Sequence, residues 1–424
     1  MSSTEQIYSL SSVRALALHA QDLTGRLDSE PAANAAAIAD TVSRIGCVQI
    51  DTLHVVQRSH YLVLWSRLGC YDTRDLDRLV YGASIEGAND RRLFEDWLHA
   101  ATILPLGEFR YRLPQKRQVR ENTFPMSMHH WIDPASRAAF HASVLERIRQ
   151  EGALRVSDFE YDGPKRGPWW DWKPAKRALE NLFAWGDLMI AGRTNFQRAY
   201  DLTERVLPAW VDTREPTHAE LMCHMVAEAV RTFGVCLPGQ VGDYDYHAKI
   251  TRARPFIEQL LAEGVLAWVQ VALSDGRVQP MLVVREQLPL LEQAADGNLA
   301  AARTTFLSPF DNLFWPADRD RQFWGFTQRL EAYKPEAQRE WGYFSMSVLH
   351  KDRFVGRFNP KLERASGTLR LKALYLEPGV ELTGQLVADL AAAMRSFLAQ
   401  HAARDLVIER SAPAEFGAQL LAAL

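Results

Sequence analysis

The stretch KPAKRALENLFAWGDLMIAGRTNFQRAYDL, residues 173–202, combines an amphipathic helix with a two-stranded hairpin. Its first half has apolar residues at helical spacing and ends at Gly186, and glycine closes helices because it adopts the left-handed conformation cheaply. Two strand-like runs follow, joined around Thr194-Asn195. This is the order of a winged-helix domain, in which the helix is the recognition helix and the hairpin is the wing.

The order helix, glycine, strand occurs twice more along the chain. A later copy, ARPFIEQLLAEGVLAWVQVAL (residues 253–273), turns at Gly264 and continues into a hairpin through Ser274-Asp275-Gly276, a strong turn signal. We therefore predict a second winged helix there, with the same arrangement of helix and wing.

The earlier copy, AAAIADTVSRIGCVQID (residues 35–51), contains Gly46 and departs from this order. After the glycine the chain makes a short strand and then returns to helix. We predict that this module has lost its simple wing, and that Gln49 and Asp51 lie where the wing would be.

The pattern changes from residue 301 onward. Residues 341–378 read as three strands with turns at Lys351-Asp352 and Ala365-Ser366-Gly367, and an alanine-rich helix follows at residues 383–402. We predict an α+β protein with tandem winged-helix (helix-turn-helix) domains and a C-terminal strand-rich α+β domain. The predicted domains are a first winged-helix-like module at 1–130, a second winged helix at 131–214, a third at 215–300 and the C-terminal domain at 301–424.

The composition restricts the functional classes. The 424 residues are 47% hydrophobic, and the formal net charge of -3 does not indicate a polyanion partner, so DNA contacts must come from local basic patches. None of the four cysteines forms a close metal-binding pair, and we expect no metal and no cofactor. The absence of a signal-peptide pattern and of a membrane-spanning apolar run predicts a cytoplasmic protein with no membrane partner.

Basic residues do cluster locally, on the predicted winged-helix elements and on the C-terminal strands, which favours DNA binding. The clusters are Arg110, Arg112, Lys116, Arg117 and Arg120; Lys165, Arg166, Lys173, Lys176 and Arg177, beside Trp169, Trp170 and Trp172; Arg193 and Arg198; and Arg353, Arg357, Lys361, Arg364, Arg370 and Lys372.

A polar pair interrupts the mostly apolar segment CVQIDTLHVVQRSHYLVLWSRLG, residues 47–69. Gln49 and Asp51 would share one face of a strand, with Ile50 on the other. Ordinary structural roles would also explain them: Asp51 as the cap of a helix beginning at Thr52, and Gln49 as a polar residue on a half-exposed strand. Alternatively, the pair positions a water molecule.

Residues 48–68, VQIDTLHVVQRSHYLVLWSRL, resemble the signature segment of the AlkZ/YcaQ-like bacterial DNA glycosylases, also called the AlkX branch. These are winged-helix proteins with a Gln-x-Gln or Gln-x-Asp catalytic motif, and Gln49-Ile50-Asp51 has the Gln-x-Asp form. The resemblance covers most of the chain. It also includes RALALHAQDL (14–23), the helix–hairpin stretch quoted first, FLSPFDNLFWPADRDRQFWGF (306–326) and GYFSMSVLHKDRFVGRFNPKLERASGTLRLKALYLE (342–377).

The resemblance implies a DNA N-glycosylase, which breaks the bond between C1′ and a base nitrogen through an oxocarbenium-like transition state. Asp51 would be the general base and would stabilise the cation, and Gln49 would orient the water. A purine alkylated at N7 is already cationic and leaves as a neutral base, so one carboxylate suffices.

The resemblance further implies the partner, double-stranded DNA containing alkylated or crosslinked purines. Relatives accept bulky N7 adducts and interstrand crosslinks, which implies an open cleft rather than a closed pocket around an extruded base. A monomer suffices for this activity, and a bacterial cytoplasmic enzyme would associate with the nucleoid when acting.

The expected DNA-contact residues come from the resembling segment, the second wing and the C-terminal strands. They are Arg58, His60, Arg193, Asn195, Arg357 and Lys361. Arg58 and His60 contact phosphate or support Asp51, and the alternative is a histidine satisfied on a helix face.

Four further features have two interpretations each. His54 would lie one helical turn from Asp51 and tune its pKa if a helix began there. Asp311 lies near the cleft or caps a turn. The tryptophans at 169, 170 and 172 wedge into a DNA groove or pack in a core. His129-His130 are loop histidines rather than metal ligands.

Two rival functions remain open at this point. A non-enzymatic winged-helix transcriptional regulator would share the tandem modules but would not need the polar pair. A metal-dependent nuclease would need clustered carboxylates for Mg²⁺, and the sequence shows no such cluster.

Overall fold

The computed structural model describes residues 6–25, 32–82, 90–98, 100–121, 134–159, 174–245 and 249–424. The predicted α+β class is confirmed. The chain divides into two compact units. The large unit comprises Met1–Asp75, Asp96–Ile103 and Ala219–Leu424, and the small unit comprises Leu76–Glu95 and Leu104–His218. The four predicted domains are contiguous, whereas each compact unit is assembled from separate segments.

The α-helices in the described residues are α1 (Leu10–Ala20), α2 (Ala35–Ile45), α3 (Ser59–Leu68), α4 (Thr73–Tyr81), α5 (Phe109–Arg120), α6 (Pro134–Glu151), α7 (Pro174–Trp185), α8 (Thr203–Val206), α9 (His218–Phe233), α10 (Val241–Tyr244), α11 (Ile250–Ala262), α12 (Leu288–Ala295), α13 (Arg319–Trp324), α14 (Gly384–Gln400) and α15 (Ala414–Ala422). No helix in the described ranges combines the length and apolarity needed to cross a membrane.

The strands of the described chain form four sheets. They are β1 (Ile7–Tyr8), β2 (Val48–Gln49), β3 (Leu93–Trp97), β4 (Ala101–Pro105), β5 (Leu154–Arg155), β6 (Leu188–Thr194), β7 (Gln197–Leu202), β8 (Leu266–Ala272), β9 (Val278–Val284), β10 (Thr304–Leu307), β11 (Met346–His350), β12 (Arg353–Glu363), β13 (Thr368–Leu376), β14 (Asp405–Ile408) and β15 (Ser411–Ala412).

The helix–hairpin stretch forms a winged helix in the small unit. α7 ends at Trp185 and is followed by Gly186, whose φ is +86°. β6 and β7 then pair antiparallel, and β5 joins them in the order β5-β7-β6. The turn is Asn195-Phe196, one residue later than predicted, with φ of +48° and +67°. α7 is amphipathic because its buried residues recur every three or four positions; they are Ala175, Ala178, Leu179, Leu182 and Phe183.

The third module has the same order in the large unit. α9, α10 and α11 precede the hairpin of β8 and β9, and Cys236 makes an antiparallel bridge to Leu282 of β9. β1 adds a parallel strand beside β8. The predicted hairpin is therefore confirmed.

The prediction that the first module has lost its wing is wrong. β2 pairs antiparallel with β4, and β3 completes a sheet of order β2-β4-β3. The hairpin is separated from β2 by α3 and α4. The residues directly after Gly46 therefore give no sign of this hairpin in the sequence.

The three modules share a frame different from the predicted one. In each, the first helix ends in a glycine with positive φ, and a short strand or bridge begins two residues later. These glycines are Gly46, Gly152 and Gly234. Gly186 and Gly264 each follow the helix that precedes a hairpin. In the first module the glycine at that place is Gly82, which follows α4 with φ of +77°, and not Gly46. Each module contains more than one helix that is followed by a glycine of positive φ, and the sequence pattern does not distinguish these glycines.

The C-terminal strands follow the prediction. β11, β12 and β13 pair antiparallel in sequence, with turns at the predicted joints, and β10 and β14 extend the sheet on either side. α14 begins after Thr383, whose side chain accepts a hydrogen bond from the Leu386 amide at 3.2 Å. α14 and α3 share a core with this sheet, because Trp65 packs against Phe306 and Phe397 with ring centroids 5.6 and 4.7 Å apart.

Candidate active site

Strand β2 separates the apolar and polar residues of the motif. Val48 is fully buried and Ile50 is 7% exposed, whereas Gln49 and Asp51 are both partly exposed. Register is fixed by pairing of Gln49 with Thr102 of β4, and by a 2.8 Å hydrogen bond from the Ile50 amide to the Ala101 carbonyl. The burial pattern therefore follows the alternation of a strand, with both polar residues away from the core.

Asp51 shapes the turn that follows it. Its Oδ1 accepts a hydrogen bond from the Leu53 amide at 2.7 Å, which is an Asx-type turn. The helix expected from Thr52 begins only at Ser59, so the helix-cap interpretation of Asp51 is wrong. Within the described chain Oδ2 has no hydrogen-bond partner. One carboxylate oxygen therefore fixes the side chain while the other is available to a ligand.

The residues after the turn brace the motif. Arg58 donates from Nη1 to the Thr52 carbonyl at 2.9 Å, and the Ser59 hydroxyl donates to the Gln49 carbonyl at 2.9 Å. His60 is only 5% exposed and its ring lies 4.2 Å from that of Tyr61. Arg58 thus borders the motif, while His60 is buried in the first turn of α3.

The strand that carries the motif is anchored from behind by Asn312, which sequence reasoning missed. Its Nδ2 donates to the carbonyls of Cys47 at 2.7 Å and Ile45 at 3.2 Å. The preceding Asp311 caps its own turn through the Leu313 amide at 3.0 Å and forms a fully buried ion pair with Arg67. The capping interpretation of Asp311 is confirmed, and its carboxylate is fully buried in the ion pair with Arg67.

The hairpin of β12 and β13 contacts the loop after the motif. The Leu362 amide donates to the Val55 carbonyl at 3.2 Å, and Arg364 donates to the Val56 carbonyl at 2.6 Å. Arg364 Nη2 also lies 2.7 Å from His54 Nε2. Partial burial, Arg364 and Arg58 lower the pKa of His54, in that order of importance, which favours the neutral imidazole at neutral pH.

Lys361 lies on the same hairpin with an exposed side chain. The next residue, Leu362, is the one whose amide bonds the loop of residues 52–58 that follows the motif, here called the motif loop. Of the predicted contacts that are exposed at least in part, Arg58 bonds the loop after the motif directly, and Lys361 precedes a residue whose amide does so.

Arg357 is only 3% exposed, although it was expected to contact DNA. Its guanidinium lies between the rings of Phe326 and Trp341, 4.3 and 4.2 Å from their centroids, and donates to Glu377 at 2.6 Å. A phosphate cannot reach a group enclosed in this way, so Arg357 has a structural role in this conformation.

Arg193 is also committed to internal contacts, in the small unit. Its side chain is 12% exposed and its Nε donates to Glu95 at 2.5 Å. Burial opposes ionisation of Glu95, but Arg193, Arg198 and Tyr81 together lower the pKa of this carboxyl below its ordinary value. Asn195 differs, because it is exposed at the tip of the wing.

The basic cluster on α5 is largely neutralised within the small unit. Arg110 pairs with Asp212, Arg117 with Glu215 and Arg120 with Asp187. These partners lie about 70 to 100 residues away along the chain, which is why the sequence shows only the positive charges.

Several candidates fall outside the described residues, namely His129, His130, Trp169, Trp170 and Trp172. Among the residues that the structure does describe, no group of three or more His, Cys, Asp or Glu side chains is arranged to hold a metal ion.

Comparison with known proteins gives two results. A profile of the family described as "DNA glycosylase AlkZ-like" matches residues 42–402, which include Gln49 and Asp51. Among solved structures, the fold is similar to that of Streptomyces sahachiroi DNA glycosylase AlkZ, with a TM-score of 0.60 and 16% identity over 96% of this chain and 100% of that one. At this identity the structural similarity concerns the fold.

Proposed function

The chain belongs to the AlkZ-like DNA glycosylase family and is a hydrolase acting on N-glycosyl bonds in DNA; from this premise we propose that it removes purines alkylated at N7. We propose Asp51 as the general base and cation stabiliser, and Gln49 as the residue that orients the water. Family membership favours this activity over the transcriptional regulator.

One observation carries the proposal. Asp51 is held at the end of β2 by its Oδ1 bond to Leu53, and Gln49 precedes it on the same face of the strand. Val48 and Ile50 face the core, so the backbone that carries the two polar side chains is rigid. A fixed carboxylate stabilises a developing positive charge without reorganising during the reaction.

The chemistry follows from the charge of the substrate. As the C1′–N9 bond breaks, the cationic purine departs as a neutral base and the sugar becomes oxocarbenium-like. Asp51 stabilises that cation and accepts a proton as water attacks C1′, with Gln49 holding the water by its amide. No general acid is required, because the leaving group needs no proton.

We propose that the duplex contacts Arg58 and Lys361 near the motif and Asn195 on the second wing. These side chains are at least partly exposed, and their elements border the motif loop or form a wing tip. Arg193, Arg357 and His60 are not proposed as DNA contacts, since their side chains are enclosed by protein. One chain supplies both Asp51 and Gln49, so a monomer suffices.

We also propose that bulky adducts and interstrand crosslinks are substrates. Asp51 is partly exposed rather than enclosed, which is compatible with a lesion that cannot be fully extruded. An assay of crosslinked duplex tests this separately: failure to unhook the strands, with monoadducts still excised, would contradict only this part.

The central test uses duplex DNA containing N7-methylguanine in the presence of EDTA. We expect base release and abasic sites, and we expect Asp51→Asn to lower the single-turnover rate by roughly 100-fold or more while duplex affinity stays within about twofold. Asp72→Asn is the matched control, because that carboxylate is exposed and forms a surface ion pair with Arg74. An Asp51→Asn protein that excises as fast as wild type would refute the assignment.

A further inference from the structure

Tyr333 is the most exposed large apolar or aromatic residue in the described chain, with 77% of its surface accessible. It lies in the segment between α13 and β11, within residues 331–344, here called the Tyr333 loop. Large aromatic rings are normally buried. An aromatic ring exposed to this degree on a well-fixed loop suggests a ligand-binding role.

The loop is organised around the carboxylate of Glu331, which is fully buried. Its two oxygens accept hydrogen bonds from the Lys334 ammonium at 2.8 Å and from the Trp341 amide at 2.7 Å. The Lys334 amide also donates to the Glu331 carbonyl at 3.0 Å. Tyr333 therefore projects from a closed turn and not from an unsupported strand.

The far end of the loop is anchored to the C-terminal sheet. Trp341 covers Arg357, and Gly342 adopts a φ of +105° against Asn359, where a Cβ would lie 2.2 Å from Nδ2. Phe344 is fully buried and packs on Phe310, 6.2 Å between ring centroids. The enclosed Arg357 thus helps to hold the Tyr333 loop.

The same anchoring connects the loop to the motif. Phe310 belongs to the turn that continues into Asn312, and Asn312 binds the Cys47 carbonyl immediately before β2. The Asp51 carboxylate also acts electrostatically on Tyr333. Partial burial, then the Asp51 carboxylate, and then Tyr343 raise the pKa of the Tyr333 hydroxyl, so it stays protonated at neutral pH.

We propose that Tyr333 is a specificity-determining residue whose ring binds the positively charged purine of the lesion while Asp51 acts on the attached sugar. The inference rests on the proposed function, because it requires a cationic base. The face of an aromatic ring attracts a cation electrostatically, and a neutral purine does not gain this attraction. Since the charge leaves the base in the transition state, Tyr333 contributes to binding and discrimination more than to the rate of bond cleavage.

The test compares binding of two duplexes of the same sequence, one undamaged and one with a 2′-fluoro N7-methylguanosine that resists hydrolysis. Tyr333→Leu is expected to lower the ratio of the two affinities roughly 3- to 30-fold, with affinity for undamaged DNA within about twofold. Tyr333→Phe keeps the ring and should retain the ratio. Trp210→Ala, which removes a 57% exposed aromatic residue in the small unit, is the matched control.

Three outcomes overturn the inference: an unchanged ratio in Tyr333→Leu, an equal loss in Tyr333→Phe, or an equal loss in Trp210→Ala. Because Tyr333 is so exposed, thermal unfolding should show all variants folded. Release of N7-methylguanine by the wild-type protein is measured in parallel. If release occurs while the ratio is unchanged, only the role of Tyr333 fails; if no base is released, the proposed function fails.

Discussion

At the scale of single residues, the position of the motif depends on groups that carry no obvious catalytic signal. Gly46 closes α2 two residues before β2, and Tyr244, Thr232 and Glu228 pack against it. Asn312 holds the next carbonyl, that of Cys47. These contacts come from segments about 180 to 270 residues away in the chain, and together they fix the position of the strand that carries Gln49 and leads to Asp51.

Gly46→Ala should destabilise the protein more than Gly152→Ala. Both glycines occupy the same place in the module and have positive φ, +82° and +91°, so each substitution costs about 1 kcal/mol in backbone conformation. A Cβ at Gly46 would also lie 2.3 Å from the Tyr244 hydroxyl, whereas a Cβ at Gly152 would meet no atom of the described residues within 4 Å apart from its own chain neighbours. We expect a further cost of about 1–3 kcal/mol at Gly46.

Urea unfolding of the two variants measures this difference, and excision assays should show loss of activity in Gly46→Ala at temperatures where it remains folded. Equal destabilisation by the two substitutions would show that the neighbours of Gly46 move aside without cost.

At the scale of elements, the hairpin of β6 and β7 uses its two arginines for contacts within the protein. In the hairpin of β6 and β7, Arg193 and Arg198 both approach the buried Glu95, at 2.5 and 3.5 Å. Arg198 also pairs with Glu180 at 3.4 Å. The wing is thus held by an internal ion cluster, and its exposed tip at Asn195 is the part left for a ligand.

Glu95→Gln should destabilise the protein by about 3–5 kcal/mol at pH 7, because Arg193 would remain buried without its carboxylate. The folded pKa of Glu95 is lowered, so its contribution is present above the unfolded value of about 4.3 and is lost as the pH falls through the folded value. The stability difference between wild type and variant should therefore shrink below about pH 4.

Chemical unfolding at pH 7 and pH 3 measures that difference. Glu340→Gln is the control, since its ion pair with Arg329 is exposed on both sides and screened by water. A difference for Glu95→Gln that does not change with pH would contradict the buried ion cluster.

At the scale of the whole molecule, the compact units do not follow chain order. The large unit joins residues near the N-terminus to the C-terminal sheet, through the Trp65 contacts with Phe306 and Phe397 and the buried pair of Arg67 with Asp311. A cut at residue 300 would expose this core and leave a buried charge without its partner on each side.

We expect fragments 1–300 and 301–424 to lack a cooperative thermal transition when produced separately. Producing both together should restore some folded protein, because the shared core can then assemble. Calorimetry and proteolysis report the outcome, with the intact chain as reference. A separate 301–424 fragment that unfolds cooperatively would instead support an independent C-terminal domain.

The sequence by itself determined the local elements of this protein. Alternation in Val48–Asp51 predicted which side chains leave the core, and the turns at 274–276, 351–352 and 365–367 predicted the hairpins, because periodicity and turn chemistry are properties of neighbouring residues. The family resemblance identified Gln49 and Asp51. Their catalytic roles remain predictions.

Only the tertiary structure decided which charged side chains are exposed and can contact a ligand. Arg357, Arg193 and Lys361 look alike in sequence, yet two are enclosed with Glu377 and Glu95, and the third is exposed. The partner of Arg67 lies 244 residues away, and the first wing lies beyond two helices. Burial of a charge depends on partners brought together by folding, and no local pattern carries that information.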